Sequence, residues 1–528
     1  MGEQVYLKSN VVVEPLIDSW YAWPHLISPA TAAMNIVGRH LKIMESYVSA
    51  PQVHAAAVKN PKFLGGPFVD YKGSRVDEVK TLIEDTKRSR SQMIDFERGV
   101  RELDELLRTE GKGLSLEPLY DRVPAMLKGY VELVYDLNDQ PGFRLIEPLL
   151  YRSPYYDPTR QGLMLGLIHD DDRPFVLSTP RLKEPGDYYW DVAFENRVID
   201  EVFQAKRKPV SRGELMEKLG QKEGGGSPFD DFFTTSPPKP YAVYDGEGLR
   251  WRYFGHACIL LETKDVTILF DPVLSYTYEG DVSRFTYDDL PDSIDYVVIT
   301  HNHQDHILFE TMLQIRHKVG AVVVPRNGGG ALADPSLKLM FKAVGFDNVI
   351  ELDEMERIEI PTGYLMGIPF LGEHCDLFVR TKMAWVVEIR ERRMLFAADS
   401  NNLETRLYEL VRECCGDLDV LFLGMECDGG PLSWLYGPLR TLPLDRKVDY
   451  SRRLSGSNYE RGIDIVNTFH FKEVYVYAMG QEPWLNYVMS LKYTDESNPI
   501  IASNRLIEDC ESRGIRAERL FGERELFL

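Results

Sequence analysis

The stretch DYVVITHNHQDH, residues 295–306, decides the fold of the second half of this chain. Its apolar run is typical of a buried strand, and four side chains that bind metals follow within six residues: His301, His303, Asp305 and His306. His301 and His303 are two apart in extended chain, so both point to one side and bind one cation, whereas Asp305 and His306 reach a second. The stretch therefore predicts a strand that ends in a site for two metal ions, rather than solvated histidines in a polar loop.

Short apolar runs bounded by Gly, Asp or Pro surround this motif. They predict strands before it, within 249–255, 257–265 and 266–273, and after it, within 321–325, 383–390, 393–399, 419–426 and 473–480. Helical stretches separate the later ones, which suits sheets flanked by helices. The fold class is therefore predicted to be α+β.

Further ligands are expected at strand ends. Asp399 closes the apolar run of 393–400 and is predicted to bridge the two metals, although an aspartate here could instead cap the helix of 401–410. Glu426 lies at the end of the strand predicted within 419–426 and supplies another carboxylate. In 367–379 both Glu373 and His374 are candidates, and because neighbours in extended chain cannot easily bind the same metal, the residues alone leave this choice open.

Three other polar residues are expected to have supporting roles. His470 precedes the strand of 473–480 and is predicted to be structural, because it lies at the end opposite to Ala478. His256 is expected to be a hydrogen-bonding or core residue rather than a ligand, and Asp271 to hold the 301–306 loop by hydrogen bonds. The ligand set of three histidines and four carboxylates is rich in hard oxygen donors and favours iron over zinc.

The chain of 528 residues is expected to form two main domains. The Gly- and Pro-rich stretch 220–245 predicts a linker between an N-terminal domain, 1–240, and a catalytic domain, 246–528. Helices are predicted within 74–110, 113–137 and 195–208, and strands within 161–168 and 173–179. The N-terminal domain is therefore expected to be mixed and mainly helical, and it carries no catalytic motif.

Composition excludes several partners. With 82 Asp and Glu against 61 Lys and Arg, the net charge of -21 disfavours nucleic acid. No apolar stretch approaches the roughly 20 residues that span a bilayer, and no signal peptide is recognisable. The six cysteines have no C-x-x-C spacing. A cytoplasmic protein with reduced thiols and no membrane partner is expected.

The motif at 301–306 resembles the HxHxDH signature of the metallo-β-lactamase superfamily, and YFGHACILLETKDVTILFDPVLS, residues 253–275, looks like its opening hairpin and first sheet. The resemblance covers roughly residues 247–500 and implies an αββα sandwich. The superfamily's final histidine is missing, since the strand of 473–480 ends in Ala478, Met479 and Gly480. This fold hosts hydrolases and oxygenases, so a zinc-dependent hydrolase that uses a metal-bound hydroxide is the alternative function.

Over its whole length the chain is similar to the diiron β-hydroxylases of antibiotic biosynthesis, on the motifs HNHQDH, FLGEHCDL, AADS and GMECDGGP. The family hydroxylates the β-carbon of an amino acid tethered as a thioester to a nonribosomal peptide synthetase carrier domain. In the chloramphenicol pathway this is L-p-aminophenylalanine. The resemblance implies an oxo-bridged diiron cluster, O2 as co-substrate and an external electron donor.

Carried over residue by residue, the resemblance selects Glu373 over His374. It implies His301, His303 and Glu373 on one iron, Asp305, His306 and Glu426 on the other, and Asp399 between them. Glu373 is the expected catalytic control point, because a carboxylate changes between two-oxygen and one-oxygen binding and so opens a coordination site. The N-terminal domain is expected to recognise the carrier or to form a homodimer.

Overall fold

The structure is a computed structural model that describes residues 3–220 and 228–528. Two seven-stranded sheets form the C-terminal half. The first, in spatial order, contains Val349–Leu352, Val319–Pro325, Ile294–Val298, Thr267–Phe270, Ile259–Glu262, Arg250–Tyr253 and Arg524–Phe527. The second contains Arg357–Ile360, Gly363–Ile368, Ala384–Ile389, Arg392–Phe396, Val420–Gly424, Glu473–Tyr477 and Arg516–Arg519. All nine strands predicted in this half are confirmed.

The two sheets pack face to face through aromatic and aliphatic side chains. Phe270 of the first sheet stacks on Phe396 of the second with ring centroids 4.0 Å apart, and Phe396 stacks on Phe422 at 4.7 Å. All three are buried in one hydrophobic core. Within each sheet antiparallel strands are followed by parallel ones, and the carboxyl ends of Ile294–Val298 and Arg392–Phe396 lead into the predicted ligand loops.

Helices cover the outer faces of the sandwich, as the resemblance implied. Those of the C-terminal half are Phe309–Ile315, Leu337–Ala343, Thr405–Cys415, Leu432–Leu435, Arg446–Ser451, Tyr459–Phe469, Asn486–Met489 and Asn498–Ser512. Short 3-10 turns occupy Tyr287–Asp289, Arg316–Lys318, Gly437–Leu439 and Pro483–Leu485. The second sheet packs on Thr405–Cys415, Tyr459–Phe469 and Asn498–Ser512 through a core of its own. The predicted αββα sandwich is confirmed.

The N-terminal half mixes helices with small sheets. Its helices are Pro24–Ile27, Pro29–Asn35, Lys42–Ser49, Pro51–Ala57, Val76–Ser89, Ser91–Glu110, Glu147–Leu150, Val198–Gln204 and Arg212–Lys218, with a π-helical turn at Ile36–Leu41 and 3-10 turns at Pro61–Phe63, Glu117–Arg122, Ala125–Leu127, Pro158–Arg160 and Pro228–Phe232. A four-stranded sheet joins Trp20–Tyr21, Val11–Ile17, Gln161–Leu167 and Tyr188–Asp191. A three-stranded sheet joins Val210–Ser211, Gln4–Leu7 and Phe233–Thr234, and Val131–Tyr135 pairs with Pro141–Leu145.

Three predictions for this half were wrong in part. The stretch 113–137 is not helical: it forms two 3-10 turns and the strand Val131–Tyr135, because its prolines interrupt a helix and the strand pairs with Pro141–Leu145. The stretch 173–179 is a turn, not a strand. Within the predicted linker, Phe233–Thr234 pairs with Gln4–Leu7, so this part belongs to the folded N-terminal half. Residues 221–227 of the linker lie outside the described residues.

A buried charge cluster joins the two halves. Arg173 donates to Glu310 at 2.7 Å and also contacts Glu14, and Arg181 donates to Glu14 at 2.6 Å. Glu310 belongs to the C-terminal half and is 3% exposed. Because each buried charge has a partner of opposite sign, the cluster fixes how the halves meet. Among the helices of residues 3–220 and 228–528, none is long and apolar enough to cross a membrane.

Candidate metal centre

The signature loop follows the strand Ile294–Val298 and is held from below by Asp271. The Asp271 carboxylate accepts hydrogen bonds from the Thr300 backbone N–H at 2.8 Å and hydroxyl at 2.6 Å. It also lies 2.8 Å from Nδ1 of His306, which leaves Nε2 of that ring facing the centre. This confirms the supporting role predicted for Asp271.

The predicted ligands meet at the ends of the two sheets. One ligand atom from each of His301, His306 and Asp399 lies within 4.8 Å of the others, and all three side chains are buried. His306 Nε2 is 3.1 Å and His301 Nε2 is 3.7 Å from Asp399 Oδ2. Asp399 can approach this closely because Gly424 lies beside it: a Cβ there would be 2.9 Å from Asp399 Oδ1.

The other four predicted ligands complete the same cluster. A cavity of about 180 Å³ is lined by His303, Asp305, Glu373, Asp399 and Glu426 among others. His303 Nδ1 lies 3.4 Å from Glu373 Oε1 and 3.1 Å from His301 Nε2. Glu373 has the left-handed backbone angle φ 62°, a conformation that is costly outside glycine and that turns its carboxylate towards this cavity.

His374 and His470 have different surroundings. The His374 ring stacks on His303 with centroids 4.4 Å apart and is fully buried, while its neighbour Glu373 lines the cavity. His470 caps the helix Tyr459–Phe469, its side chain is 65% exposed, and Nδ1 lies 3.5 Å from Asp417 Oδ1. His470 is therefore a surface residue that does not line the ligand cavity, which agrees with the prediction that it is structural rather than a ligand.

His256 lies closer to the centre than its sequence context indicated. Its Nε2 is 3.1 Å from Asp305 Oδ2, and one ligand atom each from His256, Asp305 and His306 lies within 4.8 Å of the others. The distance is that of a hydrogen bond, which agrees with the supporting role expected from the sequence. His256 thus orients the carboxylate of a predicted ligand.

The crowded, buried carboxylates of the cluster favour the binding of cations. Burial, together with Asp399 and Glu426, holds the pKa of Glu373 well above its usual range. Burial, with Asp399 and Asp305, raises the pKa of Glu426 to about 8. Within the described residues Asp399 Oδ1 is buried and has no hydrogen-bond partner. Carboxylates that crowd each other in a buried cavity, with an orphaned oxygen between them, fit two bound metal ions.

The pKa values of His301 and His306 are shifted in opposite directions within the same cluster. Burial and the neighbouring His306 and His303 rings hold the pKa of His301 well below its usual range, which favours the neutral ring. Burial alone would also lower the pKa of His306, but Asp399, Asp305 and Asp271 raise it well above its usual range. Metal ions at the centre would replace that proton, because a ligating nitrogen must be free of hydrogen.

Sequence reasoning missed one side chain at the centre. The Tyr436 hydroxyl lies 3.0 Å from Nε2 of His303 and is 1% exposed. It belongs to the stretch SWLYGP, residues 433–438, which has no metal-site motif and lies more than a hundred residues from the signature. Only the folded chain reveals it.

The sandwich and its cluster of histidines and carboxylates define a metallo-β-lactamase-type protein with a two-metal centre. A β-lactamase superfamily domain model matches residues 266–428, and the model of the diiron non-heme β-hydroxylase N-terminal domain matches residues 6–237.

Similarity to known proteins extends over the whole chain. The chain is 40% identical to the 4-amino-L-phenylalanyl-[CmlP-peptidyl-carrier-protein] 3-hydroxylase of Streptomyces venezuelae, over 99% of both chains. Its structure superposes on the crystal structure of CmlA, a diiron β-hydroxylase from Streptomyces venezuelae, with a TM-score of 0.94, 38% identity and full coverage of both chains. A crystal structure of a CmlA variant gives a TM-score of 0.91, with 38% identity and coverage of 99% of this chain and 100% of the other.

The chain therefore belongs to the diiron non-heme β-hydroxylases. It is an oxygenase, and its cofactor is a pair of iron ions. The zinc-hydrolase alternative is not supported, because the relatives that match both halves of the chain are hydroxylases.

Proposed function

We propose that this chain hydroxylates the β-carbon of L-p-aminophenylalanine while that amino acid is tethered as a thioester to a nonribosomal peptide synthetase carrier domain, in a chloramphenicol-type pathway. The observation that carries the proposal is the relation to the carrier-dependent hydroxylase, which includes the N-terminal half as well as the metal domain. A relation confined to the metal domain would indicate the fold alone.

We assign the seven predicted residues as the iron ligands. His301, His303 and Glu373 would hold one iron, Asp305, His306 and Glu426 would hold the other, and Asp399 would serve both. The distances within the cluster and the unpaired Asp399 oxygen support this assignment. When bound, two irons would supply the O2 activation and shared electrons that zinc lacks, and the Glu373 carboxylate, which can offer one oxygen or two, would control access to them.

A route for a tethered substrate leads to these ligands. A cavity of about 450 Å³ shares Leu64, Gly65, Ser490 and Leu491 with the smaller cavity that the ligands line. The two cavities therefore adjoin each other, and the carboxylates line the smaller one. A narrow extended arm fits such a route, and contacts along it would place the β-carbon at the irons.

The outer cavity has an apolar rim that suits the carrier domain. Phe63 is 49% exposed and Leu64 is 41% exposed, and both line the cavity. Lys59 and Lys62 precede them in sequence and are exposed, on a chain whose net charge is -21. Because the carrier's arm begins with an anionic phosphodiester, we assign this rim, residues 59–64, as the carrier docking surface. The N-terminal domain, 1–240, then recognises the carrier, and residues 246–528 perform the chemistry.

The test compares the iron-loaded, chemically reduced chain with O2 on p-aminophenylalanine held by its carrier and on the free amino acid. We expect a large preference for the carrier-bound form, and Phe63→Glu should raise its KM without loss of iron. Leu137→Glu is the matched control, since Leu137 is fully exposed and lies away from the cavity rim. Comparable hydroxylation of the free amino acid would refute the proposal.

Three finer points stay predictions. An external electron donor is required because the hydroxylation needs two electrons, and a homodimer is the other role expected for the N-terminal domain. A cytoplasmic location agrees with the free state of all six cysteines.

A further inference from the structure

The ring of His303 is held between the ligand cluster and Tyr436. Its Nδ1 faces Glu373 at 3.4 Å, and its Nε2 lies 3.0 Å from the Tyr436 hydroxyl. An imidazole that binds a metal through one nitrogen carries its hydrogen on the other. With iron on Nδ1, Nε2 would donate to the Tyr436 oxygen, and this hydrogen bond would fix both the tautomer and the rotation of the ring.

The segment that carries Tyr436, residues 432–439, is held by the N-terminal half. Arg39 Nη2 donates to the backbone carbonyls of Trp434 at 2.7 Å and Leu435 at 3.3 Å, and Nε donates to Asn35 Oδ1 at 3.2 Å. Arg39 is 9% exposed, and no carboxylate of residues 3–220 or 228–528 forms an ion pair with it. Burying a guanidinium without a counter-ion costs free energy. The hydrogen bonds to the two carbonyls offset part of that cost, so they hold Arg39 and the segment together.

The backbones of the two halves also meet directly beside Arg39. Gly38 lies in the π-helical turn Ile36–Leu41, and a Cβ there would be 2.9 Å from Pro438 Cα and 3.0 Å from Pro438 O. These are backbone atoms, so a larger residue would push the two segments apart. On the other side, Trp434 Nε1 donates to the Gly65 carbonyl at 2.9 Å. The segment 432–439 therefore contacts the N-terminal half at Gly38 and at Gly65, in addition to Arg39.

We infer that Tyr436 is a positioning residue for the iron bound by His303, and that Arg39 holds it in place, so that the N-terminal half supports the metal centre directly. This inference rests on the proposed assignment of His303 as a ligand. The N-terminal half would then have a second role besides carrier recognition, although its sequence carries no metal-site motif.

The test begins with Tyr436→Phe in the iron-loaded full chain, which removes one oxygen and keeps the ring. We expect the iron affinity measured by chelator competition to fall about 10- to 100-fold, the usual effect of losing a hydrogen bond to a ligating histidine, with correspondingly faster release of iron to the chelator. The Mössbauer spectrum should change for one of the two irons only. Tyr276→Phe is the matched control, because Tyr276 is also buried and donates to Glu310 at 2.6 Å, outside the ligand cluster.

A second pair of variants tests the role of Arg39. Arg39→Met keeps the aliphatic stem but removes the donors, and iron release should quicken as in Tyr436→Phe. Arg101→Met is its control, because Arg101 donates to the carbonyls of Arg440 and Thr441, both at 3.1 Å, just beyond the segment. Arg101→Met should release iron at the wild-type rate.

Wild-type iron release and spectrum in Tyr436→Phe would overturn the inference alone, and so would equal effects of Arg39→Met and Arg101→Met. A loss of apoprotein stability that Tyr276→Phe shares, with both irons affected alike, would also overturn it, because it would indicate a merely structural role. His303→Ala that retains both irons would overturn the ligand assignment and the inference with it. The carrier preference is measured separately and is unaffected by these outcomes.

Discussion

Asp271→Asn removes a charge from beneath the metal centre without changing the size of the side chain. Asp271 is fully buried and accepts three hydrogen bonds: two from Thr300 and one from the His306 ring. The amide keeps one acceptor oxygen and replaces the other with an NH2 group. If that group faces His306, it donates to Nδ1 and drives the ring hydrogen to Nε2, the nitrogen that faces Asp399 at 3.1 Å.

The size of the effect follows from the contacts that are lost. At least one hydrogen bond to a charged group disappears, which is worth about 1.5 to 3 kcal/mol. At about 1.4 kcal/mol per factor of ten, iron should bind about 10 to 150 times more weakly, because the wrong tautomer must be reversed before His306 can bind metal. The metal-free chain should also lose about the same free energy of unfolding.

Asp334→Asn separates the two effects. Asp334 is also fully buried, and its Oδ1 accepts from the Thr381 backbone at 2.9 Å and hydroxyl at 2.7 Å, yet it touches none of the proposed ligands. Denaturant unfolding of the apoproteins should show similar losses for both variants, whereas chelator competition should show weakened iron only for Asp271→Asn. Equal iron affinity in the two variants would refute the idea that Asp271 sets the tautomer of His306.

Two further changes test other parts of the account. Glu14→Gln leaves Arg181 buried without its partner and should cost about 3 to 5 kcal/mol of unfolding free energy at pH 7 in denaturant titrations, whereas the half-exposed Glu132→Gln should cost far less. Burial alone would raise the pKa of Glu14, but Arg181 lowers it to about 2. The stability that the ionised Glu14 contributes should therefore be complete above about pH 4.5 and fade as the pH falls towards 2. A loss of stability on going to higher pH would contradict this sign. His301→Ala should lose iron by metal analysis and His470→Ala should keep both ions; an ion lost from the latter would contradict its surface position.

The parts of the fold that could be predicted are those with a local cause. The strand Val420–Gly424, for example, is a continuous apolar run because helices and the opposite sheet cover its two faces. Asp399 could be placed because it ends such a run. The helix predicted within 113–137 was wrong because isolated turns can have the same apolar spacing as a helix. The strand in this stretch forms by pairing with Pro141–Leu145, and the spacing of apolar residues does not reveal such a partner.

The supporting residues of the centre could not be predicted for a similar reason. Tyr436 and Arg39 both act through contacts between segments far apart in sequence: Tyr436 lies 133 residues from His303, and Arg39, whose Nη2 donates to the Trp434 carbonyl at 2.7 Å, lies 395 residues from Trp434. Neither residue lies in a motif or at a strand end. The choice between Glu373 and His374 likewise needed the family resemblance, and the structure adds that Glu373 lines the ligand cavity while His374 stacks behind His303.

The central claim is tested most directly by mass spectrometry of the carrier after reaction with isotopically labelled O2. The iron-loaded, reduced chain and a carrier bearing p-aminophenylalanine should give a product that gains one oxygen atom, at the β-carbon and derived from O2, with the thioester intact. The zinc-loaded chain should give none. An oxygen derived from water, a cleaved thioester, or equal activity with zinc would contradict the account.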